Sequence, residues 1–131
     1  MLRTIIIDDE QDSREALRLA LEKYCPEVDL VAVCDNPQGG IESIKTNKPD
    51  LVFLDVQMPH MSGIELLARL RALDETLPVI LITGYAHLCS PSQALALGAT
   101  DYIMKPFEPE ILIASLERAS KSLHRIQNAS V

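Results

Sequence analysis

A chain of 131 residues, 47% hydrophobic and with a formal net charge of −7, suits one domain that buries a core without disulfides or metals, and excludes disorder. The acidic balance argues against nucleic-acid binding by this domain and suits a metal cation or a basic partner. No apolar run approaches a membrane span, and Ile5-Ile6-Ile7 is too short for a signal peptide and ends in three acids, so a cytoplasmic location is expected.

In chain order, Thr4 to Ile7 is a β-branched run that reads as a first strand, followed at once by Asp8, Asp9 and Glu10. Asp12 with Glu15 resembles a capping box, and Ala16, Leu17, Ala20, Leu21 and Tyr24 repeat at helical spacing up to Cys25-Pro26. Leu30 to Cys34 is the second strand, and Asn36-Pro37 then offers an N-cap and a first-turn proline. Gly39-Gly40 weakens that helix, which is expected to reach about Lys45. These two glycines are no phosphate loop, because the third glycine and the lysine of the nucleotide fingerprints are missing.

Leu51 to Leu54 reads as a strand buried on both faces, with Asp55 at its carboxyl end and Pro59 preventing its continuation. Ser62 caps a helix whose face includes Ile64, Leu67, Leu70 and Leu73. Val79 to Ile82 is the fourth strand, ending in Thr83-Gly84. Ser90-Pro91 starts a short helix that closes at Gly98. Tyr102 to Met104 is the fifth strand, ending in Lys105-Pro106. The last helix starts near Pro109 and carries Leu112, Leu116, Ala119, Leu123 and Ile126 on one stripe, with a polar tail or linker expected over 125–131.

Five repeats of strand then helix call for an α/β fold: a doubly wound, five-stranded parallel sheet with helices on both faces. In the order 2-1-3-4-5 the ligand crevice lies between strands one and three. Those strands end in Asp8-Asp9 and in Asp55, while Thr83 and Lys105 end strands four and five at the same rim. Helix capping explains any one acid there, Asp55 included. It does not explain a lysine at a strand end facing three or four acids. Carboxylates at ~5 Å repel by about 3 kcal/mol per pair at an effective dielectric of ~20. A hard cation such as Mg²⁺ removes that cost. With a lysine, a hydroxyl and a carboxylate nucleophile, the set suits phosphoryl transfer.

The three cysteines Cys25, Cys34 and Cys89 form no CxxC and read as core hydrophobes in a reducing compartment. His60, His87 and His124 lack ligand spacing, so no transition-metal site is indicated.

At these residues the chain resembles the receiver domain of two-component response regulators over nearly its whole length, with the receiver placed at 1–124. Asp8-Asp9 is similar to the family's metal-binding pair, and 49–55 followed by Met58-Pro59 and Gly63 to its phosphoacceptor segment. Thr83 matches the switch hydroxyl, Tyr102 the switch aromatic, and Lys105-Pro106 the pair whose peptide bond is typically cis. The resemblance implies a flavodoxin-like fold in which Asp55 accepts a phosphoryl group from a histidine kinase or phosphotransfer protein. It implies Mg²⁺ on Asp9, Asp55 and the Gln57 carbonyl, with Asp8 acting through a metal-bound water and Lys105 pairing with Asp55 or its phosphate. Thr83 and Tyr102 would pass the signal to an output domain, or to a homodimer formed by the fourth helix, fifth strand and last helix. It assigns Glu10 no direct role.

Gly84 departs from the family's usual alanine, and Gln57 and Tyr85 stand where the family tunes water access. The loop 57–63 is similar to receivers that carry a LytTR-type DNA-binding domain, which this chain does not contain. Two rivals stay open. A haloacid-dehalogenase-like phosphatase also uses aspartate, threonine, lysine and Mg²⁺, but places its nucleophile after the first strand with a second acid two residues on. A pseudo-receiver that is never phosphorylated would not need the intact set.

Overall fold

The computed structural model describes residues 1–58, 61–84 and 89–129, with side chains through 123. Five parallel strands, β1 (Leu2–Ile7), β2 (Val28–Cys34), β3 (Leu51–Asp55), β4 (Val79–Thr83) and β5 (Asp101–Met104), lie in the order β2-β1-β3-β4-β5. The crossovers are α1 (Gln11–Tyr24), α2 (Pro37–Asn47), α3 (Gly63–Leu73) and α4 (Pro91–Ala96), and α5 (Pro109–Ala129) closes the chain. The fold is the flavodoxin-like arrangement expected from the alternation of strands and helices.

Strand side chains alternate between two core layers, as the pleat requires. Ile5, Ile7, Val52, Leu54 and Leu81 face Leu66, Leu67 and Leu70 of α3 and Ala94 of α4. Ile6, Phe53, Ile80 and Ile103 face Leu17 and Leu21 of α1 and Leu112, Leu116 and Ala119 of α5. β3 is the central strand in that order and every residue of it is buried, which accounts for its unbroken apolar run.

Several boundaries differ from the sequence reading. Glu10, not Asp12, is the N-cap of α1, and its side chain makes no cap bond. The Asp8 carboxylate accepts the N–H of Glu10 itself at 2.9 Å, which satisfies one unpaired donor at the helix start, while Glu15 pairs with Arg18. The Asn36, Ser62 and Ser90 caps form as expected, the last as a full capping box with Gln93. α2 runs on to Asn47 despite Gly39-Gly40, and Gly40 is needed there because a Cβ would stand 2.5 Å from Ile7 Cδ1. On α3 the buried face takes Leu66 and leaves Leu73 54% exposed. α5 continues through Ala129, past Leu123 where the sequence turns polar. Cys25 and Cys89 are buried and Cys34 is half-buried, all as free thiols. Pro59, His60, Tyr85, His87 and the side chains of His124 and Ile126 lie outside the described residues. Among the described residues no helix is long and apolar enough to cross a membrane.

Candidate functional site

The parallel register brings the polar strand ends together. β1 pairs with β3 so that Ile7 faces Leu54, placing Asp8 beside Asp55 at the rim. β3 pairs with β4 with Asp55 opposite Ile82, and β4 with β5 with Thr83 opposite Met104. Asp8 and Lys105 are anchored through their backbones. The Asp8 N–H donates to the Cys34 carbonyl at 3.0 Å, and the Lys105 N–H to the Thr83 carbonyl at 2.8 Å. Arg14, one turn into α1, adds a bond from Nη1 to the Asp8 carbonyl at 2.8 Å. Behind Asp55 the Gly63 N–H donates to the Val56 carbonyl at 2.6 Å.

Carboxylate oxygens of Asp8, Asp9 and Asp55 all lie within 4.8 Å of one another. Asp8 and Asp55 are each only 4% exposed. Burial first, and then the Asp8 carboxylate, push the Asp55 carboxyl up to about 7, while the Lys105 charge and the Gln57 N–H pull the other way. Lys105 Nζ stands 3.2 Å from Asp8 Oδ2 and 3.9 Å from Asp55 Oδ2. The resemblance pairs this lysine with Asp55; in the structure it lies closer to Asp8. Gln57 meets the site through its backbone, its N–H donating to Asp55 Oδ1 at 3.2 Å.

The donor set fits a hard divalent cation. Asp9 Oδ1 is buried without any hydrogen-bond partner, an arrangement that costs free energy unless a cation or water satisfies it. One lysine also leaves three clustered carboxylates short of positive charge. Oxygen-only ligands with room for water suit Mg²⁺ better than a transition metal. Beside the acids, a furrow of ≈ 490 Å³ runs between α1 and the start of α5, with Ala16, Leu17, Ala20, Pro106 and Phe107 in its wall.

Thr83 is wholly buried at the end of β4. Tyr102 is half-buried, and its hydroxyl donates to the Cys89 carbonyl at 2.8 Å, which ties β5 to the segment entering α4. The Lys105-Pro106 peptide is cis. Sequence reasoning missed Ser13, whose hydroxyl donates to Asp8 Oδ2 at 2.5 Å and which also bonds Lys105 Nζ. A serine in the first turn of a helix is ordinary, so no local signal marks it.

The chain is also similar to known proteins. Residues 4–117 match the family model described as the response regulator receiver domain. An uncharacterized response regulatory protein of Yersinia pestis is 39% identical over 124 residues, covering 94% of this chain and 50% of that protein. The sensory transduction protein LytT of Bacillus anthracis is 32% identical over 121 residues, covering 92% of this chain and 48% of that protein. The crystal structure of a CheY-like response regulator receiver domain protein from Methanospirillum hungatei superposes with a TM-score of 0.81 at 28% identity, over 95% of this chain and 98% of that one. The chain thus spans about half the length of the curated relatives it matches. With the sheet order, the acid rim and these matches in agreement, the chain belongs to the response regulator receiver domain family.

Proposed function

We propose that this domain takes a phosphoryl group from a histidine kinase or phosphotransfer protein onto Asp55 and switches conformation to control an output partner. The observation that carries the reading is the three-carboxylate cluster with an orphaned Asp9 oxygen and Lys105 at its edge. Asp9, Asp55 and the Gln57 carbonyl would hold Mg²⁺ directly, and Asp8 through water. Bound there, the ion supplies positive charge that offsets the clustered carboxylates and the incoming phosphoryl oxygens.

The chain's own residues do the rest. An Asp55 oxygen lone pair forms the new bond to phosphorus as the donor's bond to phosphorus breaks, the leaving group keeping that electron pair. The Lys105 ammonium neutralises one phosphoryl oxygen, and the Thr83 hydroxyl donates to another. The apolar furrow beside α1 offers a wall along which a donor helix can lie. The domain is a signalling module that carries its own transfer chemistry, not a metabolic turnover enzyme. Asp55 stands alone after β3 and the later strands end in Thr83 and Lys105 instead of an acidic pair, which disfavours the phosphatase alternative.

Incubation with acetyl phosphate and Mg²⁺ is expected to add one acid-stable, base-labile phosphoryl group, read by intact mass. Labelling should disappear in Asp55→Asn and in excess chelator. Equal labelling of Asp55→Asn, or labelling that survives the chelator, overturns the reading.

The output step runs through Thr83 and Tyr102. A phosphoryl group at Asp55 offers acceptors to the Thr83 hydroxyl. Thr83 moving toward it repacks the space next to Tyr102, whose bond to Cys89 ties it to the entry of α4. α4 has only six residues and depends on tertiary packing, so it shifts readily. Leu95, Leu97, Met104 and Ile111 are exposed on α4, β5, α5 and their junctions, the face proposed for a homodimer or an output domain. A beryllium-fluoride phosphoryl mimic is expected to strengthen self-association in sedimentation velocity. Thr83→Ala should still accept phosphate yet lose most of that response. Amide shifts confined to the surroundings of Asp55, leaving Tyr102 and α5 untouched, would show that no such coupling exists.

A further inference from the structure

The Lys105 ammonium lies at hydrogen-bonding distance from Asp8 Oδ2, at 3.2 Å, but not from Asp55 Oδ2, at 3.9 Å. Ser13 supplies a second bond on the Asp8 side. The direction of that bond follows from the donor inventory. An ammonium has three donors and no acceptor, so Ser13 Oγ must accept from Lys105 Nζ. The single Ser13 proton is then spent on Asp8 Oδ2 at 2.5 Å. Lys105, Ser13 and Asp8 form a closed triangle of bonds from which Asp55 is left out. Asp8 is in turn fixed by the Glu10 N–H on its other oxygen and by Arg14 on its carbonyl. The triangle therefore stands on a rigid base. Ser13 is not the cap of α1, because the N-cap position is Glu10, whose own side chain makes no cap bond.

We propose that Ser13 is a positioning residue that holds the Lys105 ammonium on Asp8 and off the Asp55 carboxylate until phosphoryl oxygens recruit it. This rests on Asp55 being the phosphoacceptor. A lysine bonded directly to Asp55 would draw electron density from the carboxylate and weaken its attack on phosphorus, although other lone pairs stay open. A lysine parked on Asp8 leaves the nucleophile unobstructed and still has only a short way to travel. After transfer the phosphoryl oxygens compete for the ammonium with a charge-assisted bond, and the neutral Ser13 acceptor loses it. The Ser13 contact thus belongs to the unphosphorylated state, so its loss should slow formation of the acyl phosphate without changing its hydrolysis.

The test uses the full chain with Ser13→Ala and Ser13→Thr. Alanine suits a helical first turn, so folding is retained. Labelling by acetyl phosphate at saturating Mg²⁺, followed by intact mass, should be about five- to tenfold slower in Ser13→Ala, as for one hydrogen bond of ordinary strength. Hydrolysis after donor removal should be unchanged, and Ser13→Thr should restore the labelling rate. In metal-free protein the Lys105 ammonium resonance, assigned with Lys105→Arg, should be sheltered from solvent exchange in wild type and Ser13→Thr and broadened in Ser13→Ala. Wild-type labelling by Ser13→Ala, equal slowing of labelling and hydrolysis, or an unaltered lysine resonance overturns the proposal. Should wild type itself fail to label, the phosphoacceptor reading falls, and the ammonium resonance alone still decides whether Ser13 positions the lysine.

Discussion

Gly63→Ala is expected to destabilise the domain by about 2–4 kcal/mol, with Gly84→Ala, at the same rim, within about 1 kcal/mol of wild type. The difference lies in what a methyl group meets. At Gly63 a Cβ would stand 2.2 Å from the Asp55 carbonyl oxygen and 2.6 Å from Val56 Cα. Both are backbone atoms of the central strand and its exit, so no rotamer change relieves the overlap. Either α3 retreats or the end of β3 moves, and the second displaces the Asp55 carboxylate. At Gly84 the nearest neighbour of a Cβ among the described residues is Lys105 Cβ at 4.0 Å, an ordinary contact. Alanine there also narrows the unfolded ensemble. Urea melts of both variants measure this, with acetyl-phosphate labelling as a second readout. A Gly63→Ala protein as stable as wild type and labelling at its rate would mean that the close approach of α3 to β3 is not needed to place Asp55.

In metal-free protein, raising the pH from 5 to 8 is expected to lower the unfolding free energy by about 2 kcal/mol through Asp55 alone. Its carboxyl is pushed up to about 7 in the folded chain, by burial and then by Asp8, against an ordinary value near 3.9. Between those values the folded chain binds a proton that the unfolded chain has released. Stability from this group is therefore full below about pH 4 and is lost as pH rises through about 7. That is opposite to the usual behaviour of a salt-bridged acid. Asp55→Asn should flatten the profile, and Mg²⁺ should do the same in wild type by holding the carboxylate ionised. Asp9→Asn should raise the stability of the metal-free protein at neutral pH by about 1–2 kcal/mol, because it removes one of three mutually repelling charges. The same change should weaken Mg²⁺ binding, a trade of function for stability. Urea melts across this pH range, with and without Mg²⁺, decide it. An Asp9→Asn protein less stable than wild type in chelator would show that protein donors already satisfy the acids.

The sequence alone determined the strand–helix alternation and the carboxyl-end placement of Asp8, Asp9, Asp55, Thr83 and Lys105, because these are local matters. Apolar runs stop where strands end, prolines and capping residues mark where helices begin, and five strand–helix repeats leave few topologies. The motif order then carried the resemblance that the family match bears out. Tertiary structure alone decided where the charges point. Lys105 is 97 residues from Asp8 and 50 from Asp55 in the chain, and nothing local ranks those two partners. The register of β5 on β4 and the bond from Ser13 on α1 do, and Lys105 lies closer to Asp8. Ser13 was invisible for the same reason, since a first-turn serine looks alike whether it faces solvent or an ammonium group. The cap of α1 moved from Asp12 to Glu10 because Asp8, held by β2, bonds the Glu10 N–H before Asp12 is reached. The burial of Leu66 in place of Leu73 depends on how α3 lies across the sheet. Periodicity gives a helix an apolar face, but only packing against neighbouring elements selects which edge of that face is covered.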